Sequence, residues 1–431
     1  MKLIHCADLH LDSRMESGLP PEKARERRME LLHTFTKMVD MAAEDGVEAI
    51  LLCGDLFDAG KVSVRARNCV LNAMWKYPQI YFYYLKGNHD REDLLTGENE
   101  LPENLRMFGD GWKTYEQDGI CITGAELSEE NVGLLPQALE LDAEKVNLVL
   151  LHGMTSEYGG GADGIALRDF RDKGIDYLAL GHIHSYQQEQ LDDRGIWCYS
   201  GCLEGRGFDE CGPKGYVKLE IEDGHVQSEF VPCACRTLHE VETDLTDCQT
   251  EQEMFAAAEQ ALAKIPEKDL VKLVLTGELL PELTPDVDWM ETKLKEAYYF
   301  LKVKDQTRLL IRPEDYQYDV SLKGEFVRQV MASELSEEEK AEELINIRNG
   351  FNFARKVAAT GECDVLILDE VLGIIDQNII TLEDVEKLLE VKEEDLNLVM
   401  TGKVFPEKLK PYVDAISRIE YIQVDKNREQ C

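Results

Sequence analysis

Basic residues are scarce in this chain. Across 431 residues, 47 Lys and Arg stand against 85 Asp and Glu, for a net charge of −38. A protein that holds duplex DNA on its own surface needs the opposite balance, so that mode of binding is excluded over most of the exterior. Any contact with nucleic acid must be local, through bound metal ions or a few Arg and Lys, or be supplied by a partner. Long apolar runs are also missing. None is long enough to span a bilayer, and Lys2 interrupts the N-terminus before a signal-peptide core begins. A cytoplasmic location is expected, with no membrane among the partners. The twelve cysteines contain no paired C-x-x-C sets, although Cys198, Cys202, Cys211, Cys233 and Cys235 cluster loosely. A zinc framework or a secreted disulfide lattice is disfavoured, and reduced, mostly buried thiols are expected. Finally, no G-x-x-x-x-G-K-[ST] loop occurs anywhere. Gly159-Gly160-Gly161 is glycine-rich but lacks the Lys.

What is present is enough apolar material, 44% of the chain, to bury real cores. The length calls for two or three domains. Residues 1–235 alternate apolar strands (Lys2–Cys6, Glu48–Cys53, Ile80–Leu85, Asn147–Leu151, Tyr177–Leu180) with helical periodicity over Ala24–Glu44 and Val64–Lys76. Such alternation predicts an α/β layered fold, a sheet sandwich flanked by helices. Residues 236–322 read as a smaller α/β unit. Its strands are His239–Val241, Leu270–Leu275 and Thr307–Ile311, and its helices Glu251–Lys264 and Trp289–Ala297. Residues 323–355 are helical and acidic, with Ser336 and Glu339 spaced as a capping box. Residues 356–431 return to alternation: strand Cys363–Leu368, helix Leu382–Leu389, strand Leu396–Thr401 and helix Glu407–Val413.

Five polar motifs each follow directly on an apolar strand. They are Asp8-Leu9-His10, Gly54-Asp55-Leu56-Phe57-Asp58, Gly87-Asn88-His89-Asp90, His152-Gly153 and Gly181-His182-Ile183-His184. In open α/β sheets the carboxyl ends of strands converge on one crevice, so these motifs should face a common site. Carboxylates, imidazoles and an Asn carbonyl form a mixed O and N donor set. That set suits Mn, Fe or Zn better than Ca or Mg. Two cations ~3.5–4 Å apart would clamp both the attacking and the leaving oxygen of a phosphoryl displacement, with Asp55 as the natural bridge. A lone histidine reads best as a buried core residue. Five of the nine histidines in strand-end motifs do not.

These motifs, in this order, resemble those of the calcineurin-like metallophosphoesterases: D-x-H, G-D-x-x-D, G-N-H-D, H and G-H-x-H. The resemblance implies that Asp8, His10, Asp55 and His184 hold one metal, and Asp55, Asn88, His152 and His182 the other. His89 would sit beside the phosphate as general acid or charge stabiliser, oriented by Asp58 or Asp90. The implied cofactor is two divalent ions, Mn²⁺ in the first place, with Fe or Zn as alternatives. His10-Leu11-Asp12-Ser13, the run Asp176–His184, and Tyr199-Ser200-Gly201 through Gly207-Phe208-Asp209-Glu210 to Lys214-Gly215-Tyr216 are similar to SbcD-type exonuclease subunits. That branch implies a DNA repair nuclease with its active site in the first 205 or so residues. It also implies a capping domain at 236–322 and a segment at 323–355 that binds a coiled-coil P-loop ATPase. DNA, reached with a partner's help, and that ATPase are the implied partners, and a homodimer is left open. The resemblance covers roughly residues 1–352.

Val365-Leu366-Ile367-Leu368-Asp369-Glu370 is an apolar strand ending in two acids, a Walker B-like sequence. With Thr401-Gly402 and Ala415-Ile416 it resembles the second half of P-loop corrinoid adenosyltransferases, over about 356–422. Without a phosphate-cradling loop the β- and γ-phosphates have no nest of backbone N–H groups, so a non-catalytic docking or packing module is expected. The overall reading is a metal-dependent phosphodiesterase acting on DNA ends. Two rivals stand beside it: a phosphodiesterase for a small nucleotide or phosphodiester, which the acidic surface suits, and a regulatory or scaffold subunit of an ATPase complex. The complete donor set argues against the scaffold.

Overall fold

The computed structural model describes residues 1–310 except 16–17, 59–61, 91–99, 157–163 and 281–282. It also describes residues 350–417 except 361–362, 364, 370, 377–379, 394–395 and 403–404. The expected capping box at Ser336, most of the helical segment 323–355, the triple glycine 159–161 and Glu370 lie outside the described residues.

The first part of the chain runs β1 (Lys2–Cys6), α1 (Pro21–Glu44), β2 (Ala49–Cys53), α2 (Val64–Lys76), β3 (Tyr81–Leu85), β4 (Leu105–Met107), β5 (Lys113–Gln117), β6 (Ile120–Gly124), α3 (Leu135–Ala138) and β7 (Val146–His152). It continues through β8 (Met154–Ser156), β9 (Gly164–Ala166), β10 (Tyr177–Gly181), β11 (Gln187–Gln190), β12 (Ile196–Tyr199), β13 (Gly215–Glu222) and β14 (His225–Pro232). Two six-stranded sheets result, in the orders β14-β13-β1-β2-β3-β4 and β11-β12-β10-β7-β6-β5. Their central strands pair in parallel. Strands covered on both faces read as continuous apolar runs, which is why β1, β2, β3, β7 and β10 are plain in the sequence.

Alternation along each strand separates the layers. Leu3, Ala49, Leu51 and Tyr83 of the first sheet pack with Ile122, Leu148, Leu150 and Ala179 of the second, forming the inner core. Ile4, Cys6, Ile50, Leu52 and Phe82 point the other way, onto Phe35, Met38 and Val39 of α1 and Val70 and Leu71 of α2. Val149, Leu151, Leu178 and Leu180 point to the other side of the second sheet, where they pack with Phe170 and with Trp197 of the neighbouring strand β12. This is the layered α/β sandwich expected from the alternation. Phe35 is fully buried, and truncating such a side chain to Ala costs about 3–5 kcal/mol. His5 follows the inward register. Its Nδ1 lies 2.8 Å from the Tyr177 hydroxyl and its Nε2 3.2 Å from the Leu180 carbonyl. Burial holds its pKa down at about 3. It is a core histidine stitching the two sheets together.

Strands β4–β6, β8, β9 and β11–β14 are not among those expected from the apolar pattern. Lys113–Gln117 and Gln187–Gln190 are polar edge strands, the latter exposed at every position. They carry no periodic signal, because their side chains are largely solvated on both faces.

The chain divides into two compact units. One comprises Met1–Asp244, Gln252–Leu275 and Asp286–Asp305, and the other Leu245–Glu251, Thr276–Pro285 and Gln306–Cys431. Beyond the sandwich lie β15 (Leu238–Asp244), α4 (Glu251–Leu262), β16 (Leu270–Thr276), β17 (Glu278–Leu279), α5 (Val287–Leu294), β18 (Phe300–Asp305) and β19 (Arg308–Leu309). The small sheet β15-β16-β18 belongs to the first unit. It is tied to α1 through Arg236, which stacks 3.5 Å from the Tyr299 ring centroid and donates to Glu30 and Glu26 at 2.8 and 3.1 Å. Deeper in α1, Arg27 is buried and ion-paired with Glu204 at 3.0 Å and with Glu30.

The second unit contains β20 (Val365–Leu368), α6 (Val371–Asp376), α7 (Leu382–Val391) and β21 (Asn397–Met400). β20 and β21 pair in parallel. Helix α7 opens with a reciprocal cap between Thr381 and Asp384, in which each backbone N–H donates to the other's side chain. The expected helix at 407–413 is a 3₁₀ turn over Glu407–Tyr412.

Candidate metal centre

Asp8 and His10 follow β1, Asp55 follows β2, Asn88 and His89 follow β3, His152 closes β7, and His182 and His184 follow β10. The two sheets bring these five strand ends together. Three clusters of potential ligand atoms, each with all atoms within 4.8 Å of one another, form there: Asp8, His10 and His184; Asp8, Asp55 and His152; and His10, Asp58 and His89. The Asp55 carboxylate lies between rings, with Oδ2 3.4 Å from His152 Nε2 and 3.8 Å from His10 Nε2. Asn88 Oδ1 is 3.0 Å from His152 Nε2. The His182 ring meets that of His152 edge-on at 5.5 Å.

The backbone is bent to make this possible. Asp8, His10, Asp55 and His182 have φ of +51°, +42°, +53° and +108°. Non-glycine residues in sparsely populated regions cost of order 1–3 kcal/mol each and persist only where the surroundings over-determine them. Here each motif fixes another. The Asp8 and His10 N–H groups donate to the carbonyls of Gly54 and Asp55, both at 3.0 Å. The His182 N–H donates to the Asp8 carboxylate at 2.9–3.0 Å, and the His89 N–H to Asp55 Oδ1 at 2.9 Å. Gly87 is required by close approach, since a Cβ there would stand 2.2 Å from Asp55 Oδ1.

Asp8 and Asp55 are only 1% and 2% exposed. Two buried carboxylates side by side need compensating positive charge. Burial pushes Asp8 up. Burial would also push Asp55 up, but its hydrogen bond to His152 and the charge there hold it at about 2. His152 in turn is carried from the lowering effect of burial up to about 9 by Asp55 and Asp8. The site thus draws positive charge to itself. His10 Nε2 is a buried nitrogen with no hydrogen-bond partner among the described residues, facing the Asp55 carboxylate at 3.8 Å. A divalent cation matches both features, and the donor set fits one.

The supporting contacts orient the rings. His152 Nδ1 lies 2.9 Å from the Cys53 carbonyl, which leaves Nε2 facing the site. His184 Nδ1 lies 2.7 Å from Glu210 Oε1, with its Nε2 3.7 Å from Asp8 Oδ1. His10 Nδ1 is 2.6 Å from Asp58 Oδ1, close in distance but off the ring N–H direction. Of the two acids expected to orient His89, Asp58 shares a cluster with His89 and His10, and each acid also has other partners. The Asp90 carboxylate accepts from the N–H groups of Leu56, Phe57 and Gly87, clamping the second and third motif loops together. Asp58 is engaged by His10 and Arg206. Arg206, which sequence reasoning did not single out, and Glu210, quoted there only as part of a family-like run, complete the surroundings. The signal was a cluster of five charged residues, Glu204, Arg206, Asp209, Glu210 and Lys214, in the glycine-rich stretch between β12 and β13.

In the second unit, Asp369 at the end of β20 is exposed and accepts from the Thr401 hydroxyl at 2.5 Å. Cys6, Cys53, Cys121, Cys198 and Cys202 are buried free thiols, and burial pushes Cys198 and Cys233 up to about 12. Among the described residues no helix is long and apolar enough to cross a membrane.

Comparison with known proteins matches residues 1–186 to the calcineurin-like phosphoesterase family. Residues 299–429 match the ATP:corrinoid adenosyltransferase BtuR/CobO/CobP family, a longer span than the 356–422 expected. The uncharacterized metallophosphoesterase YhaO of Bacillus subtilis is 26% identical over 301 residues, 64% of this chain and 72% of that protein. The DNA double-strand break repair protein Mre11 of Methanococcus maripaludis is 25% identical over 223 residues, covering 47% of this chain and 57% of its own length. That of Sulfurisphaera tokodaii is 21% identical over 412 residues, covering 91% and 98%.

Proposed function

We infer that this chain, whose residues 1–186 form a calcineurin-like phosphoesterase domain, is a two-metal phosphodiesterase acting on DNA ends, an exonuclease subunit in DNA repair. The observation that carries the reading is the pair of buried carboxylates, Asp8 and Asp55, clustered with His10, His152 and His184, with Asn88 and His182 beside His152. Asp8, His10, Asp55 and His184 would hold one cation, and Asp55, Asn88, His152 and His182 the other. Mn²⁺ is the first choice on donor chemistry. Bound cations supply Lewis acidity to the phosphoryl oxygens. The chain's own part is to orient the donors through fixed imidazole tautomers and to hold His89 at the rim. There its ring, 5.3 Å from that of His10, gives or takes a proton or steadies charge at the scissile phosphate.

The domains divide the labour: residues 1–235 for catalysis, 236–322 as a cap, 323–355 for a coiled-coil P-loop ATPase partner, and 356–431 as a docking module. The DNA reading draws on the names of the Mre11 relatives. The net charge of −38 assigns much of the DNA grip to a partner. The same charge favours a second reading, a small nucleotide or phosphodiester as substrate, since such a ligand needs no basic surface. A side-by-side Mn²⁺-dependent assay on single-stranded DNA, duplex DNA and a small aryl phosphodiester separates them. Cleavage of DNA is the expected result, and activity confined to the aryl ester would establish the second reading.

A further inference from the structure

We propose that Arg206 is a positioning residue that ties together the two histidines of one metal site and so sets that site's affinity separately from the other's. The inference rests on the two-metal reading above. His10 and His184, assigned to the same cation, come from different sheets, and each has its Nδ1 against a carboxylate. Asp58 Oδ1 lies 2.6 Å from His10 Nδ1, and Glu210 Oε1 lies 2.7 Å from His184 Nδ1. One guanidinium joins the two carboxylates. Arg206 Nη1 donates to Asp58 Oδ1 at 3.3 Å, while Nη2 and Nε donate to Glu210 Oε1 at 2.9 and 3.2 Å. The Arg206 backbone N–H donates to the other Glu210 oxygen at 2.8 Å, which closes the loop on itself.

The chain of contacts therefore runs His10, Asp58, Arg206, Glu210, His184. Arg206 Nη2 also lies 3.0 Å from His184 Nδ1. A ring nitrogen cannot donate to Glu210 and accept from Arg206 at once. The His184 Nδ1–H donates to the Glu210 carboxylate, and Arg206 donates to that same carboxylate, so that Nε2 keeps its lone pair for the cation. His152 has a different arrangement, its Nδ1 resting on the backbone carbonyl of Cys53. Loss of Arg206 should therefore loosen one cation and spare the other. A planar fork spans two carboxylates at fixed geometry, and a Lys ammonium does not.

The test strips the full-length chain with chelator and titrates it with Mn²⁺ alone, by calorimetry and by Mn²⁺ paramagnetic resonance. Wild type should take up two ions. Arg206→Gln should keep one at unchanged affinity and bind the second about 10–100-fold more weakly, the range for outer-shell partners of metal ligands. Arg206→Lys should behave like Arg206→Gln. Asp58→Asn, which cuts the bridge at its other end, should weaken the same single ion, and it serves as the test if the arginine variants do not fold. Two ions bound by Arg206→Gln or by Asp58→Asn as in wild type would overturn the proposal. Restoration by Arg206→Lys would also overturn it, because charge alone would then suffice. Failure of wild type to take up two ions would instead strike at the two-metal reading itself.

Discussion

The sandwich and the C-terminal unit both end apolar parallel strands in acidic residues, yet they treat those acids in opposite ways. In the sandwich, Asp8 and Asp55 are sealed from water, sit on left-handed backbone, and are surrounded by imidazoles. In the C-terminal unit Asp369 is exposed and shares a hydrogen bond with Thr401. Burying charge and bending backbone are both costly, and folded proteins retain such costs where function requires them. An exposed acid with a hydroxyl partner costs almost nothing and needs no functional reason to persist. Strand-end carboxylates alone thus do not mark a site. What marks one is what the fold sacrifices to place them.

The most severe way to break this contrast is to remove charge at its centre. Asp55→Asn should abolish Mn²⁺-dependent hydrolysis and reduce bound metal, because its carboxylate lies between the rings of His10 and His152. The fold should survive, since the inner core does not depend on it. Activity, metal content and a thermal melt on one preparation check all three, and near-normal turnover would dissolve the two-metal assignment. Next in size, His89→Ala should lower turnover by about 10²–10⁴-fold, the range for a positioned acid or base, with metal content unchanged. Metal loss in that variant would make His89 a ligand, consistent with its membership of the cluster with His10 and Asp58.

The sequence made one side of the contrast far more legible than the other. Buried parallel strands such as Ala49–Cys53 and Tyr177–Gly181 are apolar throughout, and ligand-type residues immediately after them are visible without coordinates. The groups that hold the histidine rings in place were not. Glu210 reaches His184 across 26 positions and Arg206 reaches Asp58 across 148. No local pattern encodes a contact that depends on how two sheets stack. The edge strands were illegible for another reason: Gln187–Gln190 is solvated on both faces, so no periodicity is imposed on it. Asp90 shows the limit of reading by motif. It stands beside His89 in sequence, but its carboxylate serves backbone N–H groups of the neighbouring loop.

A smaller effect is expected from the surface of the whole chain. With 85 acidic residues against 47 basic ones, few cations are available to displace counterions from a duplex. The isolated chain should therefore bind DNA weakly and with a shallow dependence on salt. Fluorescence anisotropy across a salt series measures the slope. Addition of a coiled-coil P-loop ATPase chain should raise affinity and steepen it. A steep slope for the chain alone would place a concentrated basic surface on it, and the partner argument would fall.

The smallest effect, none at all, is expected at Asp369, and it sharpens the comparison most. The match of residues 299–429 to corrinoid adenosyltransferases sets the alternative, a nucleotide site in the C-terminal unit. In a working P-loop enzyme the Walker B aspartate acts on Mg²⁺ already held by nucleotide phosphates and by a loop hydroxyl. This sequence contains no G-x-x-x-x-G-K-[ST] loop to present either. Thr401 comes from β21's end rather than from a phosphate loop, and its hydroxyl is donated to the Asp369 carboxylate itself. Asp369→Asn should therefore leave phosphodiesterase turnover unchanged, and calorimetry with ATP·Mg²⁺ or with cobalamin should show no saturable binding to the isolated chain. An amide at 369 can still accept the Thr401 hydroxyl, so the pairing of β20 with β21 should also hold and the melting temperature should not move. Micromolar binding of either ligand would show that an exposed, inexpensive acid can still mark a site, and the distinction drawn between the two units would fail.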